Sequence, residues 1–560
     1  MKKLTSLLLA LTLICAMLPV FAVPASAAST TFGTLTVAGE GTEESPYKIT
    51  DYKKLNALAA EVNAGNYDFE GVYFVLPFST TTALKTPIGT EEHPFKGNFD
   101  GNGSIVWLDI DQPDKNYVGL FGYAVGSEIK NVYWQGRVAG HSYVGGVCGY
   151  LEDGSIINCG YEKTPMKLDA SVTGSGNIDG NSCYIGGICG CLVGGELSGC
   201  SMDGKVINNS TENNEQAYTG GVCGYMEGDV SNCTCAGSVT LDKNFEQYYA
   251  GGICGYLNGD IENCSNSADV YAAVRIFNEA NGTPKDDSKS YHIGGICGFL
   301  FDGACDNCIN SGDVTGGRDV GGICGAVDEG YIVNAANKGI VTVISMTGGG
   351  ICGNFYGSSI QDGGIINCVN KADIHISDGG TMSGGIAGSV SHPIVNCINT
   401  GGPICSNSVS IVGGVVGLMM YADSAQHSYC NGDYSFYVTN PIIGGIGESE
   451  DLGSHGRELL RSAEQLKAPG TLDEFNEYIS EVEEEIPQLN LLEWVKDEDG
   501  FPCLDYSEIE NPSAVGSVLS AGNLWIIIGV AVLAVIGAAA LVIVKKKKPA
   551  LADGNNSDEE

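Results

Sequence analysis

The pentapeptide Gly-Gly-x-Cys-Gly, with close variants, recurs nine times, beginning at Gly145, Gly186, Gly220, Gly251, Gly294, Gly321, Gly349, Gly384 and Gly413. Intervals between copies run from 27 to 43 residues, and flanking versions stand at Gly119 and Gly444. Each interval reads as three short apolar or alternating segments, as in Gly252–Leu257, Asp260–Cys264 and Ala268–Tyr271, separated by Asn258-Gly259 and Ser265-Asn266-Ser267. Such turn residues punctuate strands too short to bury a face alone. Stacking one unit on the next removes that difficulty, which predicts an all-β fold, a three-sided parallel β-helix of about ten coils stacked at ~4.8 Å. The 81 glycines in 560 residues are about twice the usual ~7% and fit a chain that turns this often. Variable spacing maps to loops over 161–181 and 276–290.

Four columns of residues follow once the units are aligned. Asn158, Asn232, Asn263, Asn307, Asn334, Asn367 and Asn396 share one position, with Gly199 the single break. Amides stacked in register can form a hydrogen-bonded ladder, a structural reading. Cysteines occupy two positions: Cys148, Cys189, Cys223, Cys254, Cys297, Cys324 and Cys352 after the glycine pair, and Cys159, Cys200, Cys233, Cys264, Cys308, Cys368 and Cys397 after the asparagine. Phe121 and Val416 replace cysteine in the first, and Cys324 stands opposite Ala335. Those substitutions favour packed thiols over obligatory bridges, because free cysteine behaves as a small hydrophobe. Two residues before the glycine pair stand Tyr143, Tyr184, Tyr218, Tyr249 and His292, changing to Asp319, Met382 and Ile411. Facing outward, this column is an aromatic strip able to meet an extended ligand; facing inward, it is a core stack. The glycine pair leaves strand parity ambiguous, so both remain open.

These units resemble the GLUG-type repeats of Gram-positive bacterial surface proteins and of the non-catalytic regions of M26-type immunoglobulin A peptidases. The matching stretches are Tyr143–Tyr150, Tyr117–Tyr123 and Ile156-Ile157-Asn158-Cys159, preceded by Gly41–Tyr47, Leu55–Asn66 and Phe95–Gly103, and followed by Ser462–Leu466 and Gly500–Leu504. The resemblance covers about residues 33–506 and implies a β-solenoid fold; it specifies no ligand.

The remaining organisation is read from the ends. Residues 1–27 have the layout of a secretory signal, with Lys2 and Lys3 before an apolar run and a small-residue cleavage site. Residues 524–544 form an uninterrupted apolar stretch, predicting one transmembrane helix, and Lys545–Lys548 would hold the tail 545–560 in the cytoplasm. Residues 28–116 are expected to form an N-terminal cap. Within it, Asp51–Ala64 carries Leu55, Leu58, Ala59 and Val62 at helical spacing. The repeats span 117–447, a helical C-terminal cap 448–510 and a stalk 511–523. The expected localisation is therefore the cell membrane, single-pass, with an extracellular N-terminal ectodomain.

A formal net charge of −39 excludes nucleic acid as a natural partner. The seven histidines form no His-Glu-x-x-His, and no Gly-x-Ser-x-Gly occurs. Cysteines 10 or 11 residues apart within a coil do not match paired zinc-ligand spacing. No catalytic residue, metal site or cofactor is expected. The sequence therefore points to a membrane-anchored, non-enzymatic adhesin or display scaffold. Its expected partners are the membrane, through the C-terminal helix, and a host glycan, a matrix protein or a neighbouring surface protein. The alternatives are a polysaccharide-active β-helix enzyme, which would need paired carboxylates on an outer face, and a structural spacer for a membrane partner.

Overall fold

A computed structural model describes residues 29–161, 170–175, 182–210, 216–241, 247–272, 291–356, 363–401, 404–406, 411–419, 425–426, 428–431, 443–449, 460–486 and 489–507. The expected loops at 161–181 and 276–290 lie largely outside these residues.

One coil shows how the sequence becomes a solenoid. Tyr248–Gly251, Cys254–Asn258, Ile261–Glu262, Ser265–Asn266 and Asp269–Ala272 are five short strands. Each pairs in parallel with its equivalents in the coils before and after: Cys254 with Cys223 and Cys297, Ile261 with Val230 and Cys305, and Val270 with Val239 and Val314. Ile253, Cys254, Leu257, Ile261, Cys264 and Val270 point inward and are at most 1% exposed. Every inward residue therefore touches its own counterpart in the neighbouring coils, and the core is a bundle of columns.

The predicted asparagine column is first a requirement of backbone geometry. Asn158, Asn232, Asn263, Asn307, Asn334, Asn367 and Asn396 all have φ between 50° and 55°, and Gly199 has φ 62°. Asparagine and glycine are the residues that enter this left-handed region most readily, so the one break is a replacement by the other permitted residue. In the last three coils the side chains also form the expected ladder. Asn367 Nδ2 donates to Asn334 Oδ1 (2.8 Å) and Asn396 Nδ2 to Asn367 Oδ1 (2.9 Å).

A second amide ladder lies three residues downstream, and it is entirely internal. Asn266 donates to Asn310, Asn310 to Asn337, Asn337 to Asn370 and Asn370 to Asn399, at 2.8–2.9 Å. Each of the first four also donates to a carbonyl two residues on, which satisfies a group that burial would otherwise penalise. This ladder explains the second glycine of the pairs in the coils that carry it. A Cβ on Gly252, Gly295, Gly322 or Gly350 would stand 2.3 Å from the Cγ of Asn266, Asn310, Asn337 or Asn370. In the preceding coils the same place is filled by Met202 and Cys235.

The cysteine columns are thiol columns. Cys148, Cys189, Cys223, Cys254, Cys297, Cys324 and Cys352 pair in unbroken register and continue into Ala387 and Val416. In the other column the sulfur accepts the backbone N–H of the coil beneath: Cys200 N to Cys233 Sγ and Cys233 N to Cys264 Sγ (3.4 Å), and Cys368 N to Cys397 Sγ (3.3 Å). Ser428 Oγ does the same for Cys397 N (3.2 Å). The nineteen cysteines whose side chains are described are free, and all but Cys503 are buried. Burial drives the Cys189, Cys223 and Cys254 thiols well above their ordinary range, which leaves them protonated and inert.

At the N-terminus a hairpin, Ser29–Phe32 with Leu35–Ala38, precedes helix α1, Tyr52–Asn63. Asp51 caps α1 through Lys54 N (3.1 Å), and Leu55, Leu58, Ala59 and Val62 are buried beneath it, the face that the helical spacing predicts.

The C-terminal helices lie elsewhere than expected. Helices α2, Ala463–Lys467, and α3, Pro469–Glu485, with the hairpin Trp494–Lys496 and Pro502–Leu504, dock along the outer flank of earlier coils rather than simply closing the last one. Asn334 Nδ2 donates to Asn490 O and Asn367 Nδ2 to Leu492 O (both 2.9 Å), and Tyr506 OH donates to Asn334 O (2.6 Å). Lys371 pairs with Asp497 at 2.6 Å. The outer face changes chemistry where the segment docks. One outward column runs Ile157, Ser198, Ser231, Glu262, Asp306 and then Val333, Ile366, Val395; its neighbour runs Ser201, Thr234, Ser265 and then Ile309, Ala336, Val369, Ile398. The apolar half packs against Phe475, Ile479, Val482, Leu491 and Trp494.

The transmembrane expectation is corrected. Helices α1, α2 and α3 have 12, 5 and 17 residues, and among the described residues no helix is long and apolar enough to cross a membrane. The longest, α3, carries Asp473, Glu474, Glu477, Glu481, Glu483 and Glu484, charges that hydrocarbon does not accommodate. The apolar stretch 524–544 that suggested an anchor lies outside the described residues, as do the leader 1–27, the stalk 511–523 and the tail 545–560. The fold supported here is an all-β parallel solenoid with short helical caps. Single-pass topology, the membrane as partner and a cell-membrane location are not carried forward.

Crowding at the glycine pair yields a prediction. Gly295→Ala would place a Cβ 2.1 Å from Gly322 O and 2.3 Å from Asn310 Cγ, and neither backbone nor a locked amide can retreat. Loss of at least about 2 kcal/mol is expected, read as a fall in urea midpoint. Gly470→Ala, with nothing within 4 Å, should leave the midpoint unchanged. Equal effects would show that the ladder does not set the requirement.

Candidate functional site

The tyrosine column stands on the outer face. In Cys183–Gly186 the inward residues Cys183 and Ile185 are fully buried, while Tyr184 between them is half-buried; direct register puts Tyr218, Tyr249 and His292 at the same position, where Tyr249 is half-buried and Tyr218 and His292 are 6% and 3% exposed. Tyr117, which the sequence reading did not include, begins the column. Ring centroids are 4.7 Å apart for Tyr117–Tyr143, 4.5 Å for Tyr143–Tyr184, and 5.0 Å for both Tyr184–Tyr218 and Tyr218–Tyr249, with planes within 20° of parallel. His292 follows Tyr249 at 5.4 Å.

A second aromatic column, missed in the sequence, runs beside it. Tyr123, Tyr150, Tyr225, Tyr256 and Phe299 occupy one register position, with Cys191 between Tyr150 and Tyr225. The signal was the residue after the pentapeptide, where Tyr, Cys or Phe recurs. Rings of the two columns meet edge to face, as in Tyr218–Tyr225 (5.2 Å, 80°) and Tyr249–Tyr256 (5.8 Å, 89°). This herringbone is the favoured arrangement of ring quadrupoles. Stacking along each column also covers the ring faces between coils.

Those hydroxyls meet carboxylates and amides. Tyr225 OH donates to Glu227 Oε1 (2.6 Å), Tyr117 OH to Glu91 Oε1 (3.2 Å), Tyr123 OH to Glu152 Oε2 (3.4 Å), and Tyr218 OH to Gln216. Burial, then Tyr249 and Glu227, pushes Tyr256 up to about 12; burial raises Tyr143, Tyr184 and Tyr225 as well. The phenols therefore stay protonated and act as donors.

At its far end the column becomes ionic. His292 Nδ1 lies 3.0 Å from Asp319 Oδ2, with both side chains almost fully buried. Thr347 and Tyr356 donate to Asp319, the latter at 2.8 Å. Burial works against the Asp319 charge, but His292, Thr347 and Tyr356 outweigh it and hold the carboxyl below its usual range. The group is enclosed, and the hydroxyls of Thr347 and Tyr356 that adjoin it are both engaged as donors to the carboxylate. Beyond it, the first column continues through Thr347, Met382 and Ile411 and the second through Ala326, Asn354 and Ser389, with coil pairing maintained.

Among the described residues, no three His, Cys, Asp or Glu side chains are grouped to hold a metal. An open cleft of about 620 Å³ lies at the N-terminal cap beside Phe32, Tyr67, Asp68, His93 and Lys96.

Comparison with known proteins identifies the repeat. The GLUG motif matches residues 246–271, the coil described above. Among solved structures, a protein from Bacteroides ovatus described as a candidate immunoglobulin A1 protease is 17% identical, with 84% of this chain and 95% of that chain covered, at a TM-score of 0.28; a superposition that loose carries no argument. No curated protein matches the chain.

The packing predicts how the strip responds to truncation. Tyr218→Ala removes two stacked and two edge-on neighbours and should cost about 2 kcal/mol by urea unfolding, whereas Tyr218→Phe should cost under about 1 kcal/mol. Far-UV circular dichroism of both should match wild type. Collapse of the solenoid in Tyr218→Ala would show that the column is indispensable to the fold.

Proposed function

We propose that this chain is a non-enzymatic adhesion or display scaffold whose contact surface is the double aromatic column from Tyr117 to Phe299. One observation carries the reading: the aromatics cluster on an outer face where the coil does not need them. Later coils place Thr, Met, Ile, Ala, Asn and Ser at the same positions and keep the same pairing. A half-exposed aromatic surface that the fold does not demand is the type of patch that marks a partner site. The seven asparagines of the column from Asn158 to Asn396 are, in this reading, turn and docking residues rather than ligand contacts.

Catalysis has little to support it. Neither the enclosed His292–Asp319 group nor the N-terminal cleft brings a nucleophile and base together on an accessible surface, and the sequence holds no zincin motif.

The test is retention of bacterial, matrix and host-glycan ligands on the immobilised chain. Replacing Tyr143, Tyr184, Tyr249 and Tyr256 by serine is expected to abolish whatever retention the wild type shows while leaving the circular dichroism spectrum intact. Retention that survives all four replacements would remove the strip from the account.

A further inference from the structure

We infer that the strip recognises an extended, lysine- or arginine-rich segment of a partner protein, read through outward hydroxyls and carboxylates rather than through ring faces. This deepens the preceding proposal and rests on it.

Geometry comes first. A sugar ring stacking on tyrosine needs an open ring face, and in this column neighbouring rings lie 4.5–5.0 Å apart and nearly parallel, a gap that already equals one stacking contact. The second column packs edge to face against the first, at 5.2 Å for Tyr218–Tyr225 and 5.8 Å for Tyr249–Tyr256, which crowds the lateral approach as well. The strip meets solvent through the half-buried Tyr143, Tyr184 and Tyr249, with Tyr218 only 6% exposed between them.

Charge then selects the partner. Glu152 and Glu227 share one outward register column, two residues beyond the second aromatic column, with Val193 between them. Glu91 lies at the start, against Tyr117. Each of the three accepts a hydroxyl from the strip, which fixes its position without neutralising it. From Glu227 the same column continues through Asn258 and Phe301, 40% exposed, to Asp328. The strands that build this face, from Phe121–Val125 and Val144–Gly145 through Tyr291–Gly294 and Cys297–Phe301, contain no lysine or arginine. This face holds fixed carboxylates and flanking amides at Gln216 and Gln247, and its described strand residues include no lysine or arginine, a composition that complements a basic chain laid along the coils. Its apolar edges accept the methylene stems of lysine and arginine. The chain's net charge of −39 favours the encounter with any cation; the paired hydroxyl and carboxylate rows would confine it to this face.

The experiment titrates the full-length chain with an oligolysine peptide, an oligoglutamate peptide and neutral oligosaccharides, following tyrosine fluorescence. Oligolysine should bind, weaken with added salt, and lose about threefold in affinity for each of Glu152→Gln and Glu227→Gln. Tyr143, Tyr184, Tyr218 and Tyr249 replaced together by phenylalanine should weaken it further while retaining the ring stack. Glu70→Gln and Glu262→Gln, away from the strip, should leave it unchanged. Equal loss from the remote pair would overturn the inference, because attraction would then be general. A neutral oligosaccharide bound in a manner abolished by Tyr184→Ser and insensitive to Glu152→Gln and Glu227→Gln would overturn the inference and keep the strip as a contact surface. If strip substitutions alter the binding of no probe, inference and underlying proposal fall together.

Discussion

Everything in this solenoid depends on self-contact between coils. With strands stacked at ~4.8 Å, an inward side chain meets its own counterpart above and below, so each core position must hold a residue able to pack against itself. Valine, isoleucine and protonated cysteine satisfy that condition by shape. Asparagine satisfies it by chemistry, because an amide donates on one side and accepts on the other; the run from Asn266 to Asn399 exploits both. From Gly252 to Gly385 the second glycine of the pair follows from that ladder, since the strand opposite must leave room for the amide. Cysteine adds an acceptor for a backbone N–H that the turn leaves unpaired, as at Cys200 and Cys233.

The outer faces obey no such rule and can differ from coil to coil. Two faces have been specialised in opposite directions. One changes from Ser231 and Glu262 to Val333 and Ile366 and is covered by the chain's own C-terminal segment, anchored on Asn334 and Asn367. The other carries stacked aromatics through the early coils and gives them up after Phe299. A covered apolar face is part of the fold, whereas an uncovered aromatic face is available to a partner.

How much of this was legible in the sequence varies with the physics involved. The solenoid and the thiol columns were, because the pentapeptide repeats and because Phe121 and Val416 in a cysteine position betray an apolar environment. The asparagines were found but their first role was not: left-handed φ is a backbone property, and the clue was Gly199, the other residue that tolerates it. The internal ladder escaped notice because Met202 and Cys235 interrupt its column in the early coils. The aromatic strip was seen as one column when it is two, and its orientation could not be read across a glycine pair. Docking of the C-terminal helices on a flank depends on contacts more than a hundred residues apart, such as Asn334 with Asn490, which no local pattern encodes. The membrane anchor rested on apolar length alone, and no helix among the described residues supports it.

The central claim, that self-compatible protonated thiols and amides fill a dry core, is tested most directly by counting thiols. The native full-length chain would be exposed to a thiol-modifying reagent, and then the denatured chain without reductant, with the modified residues identified by mass. The account predicts that Cys189, Cys223, Cys254, Cys297 and Cys352 resist modification in the native chain and all react once it unfolds. Cysteines that stay unreactive after unfolding because they are bridged, or that react freely in the native chain, would contradict it.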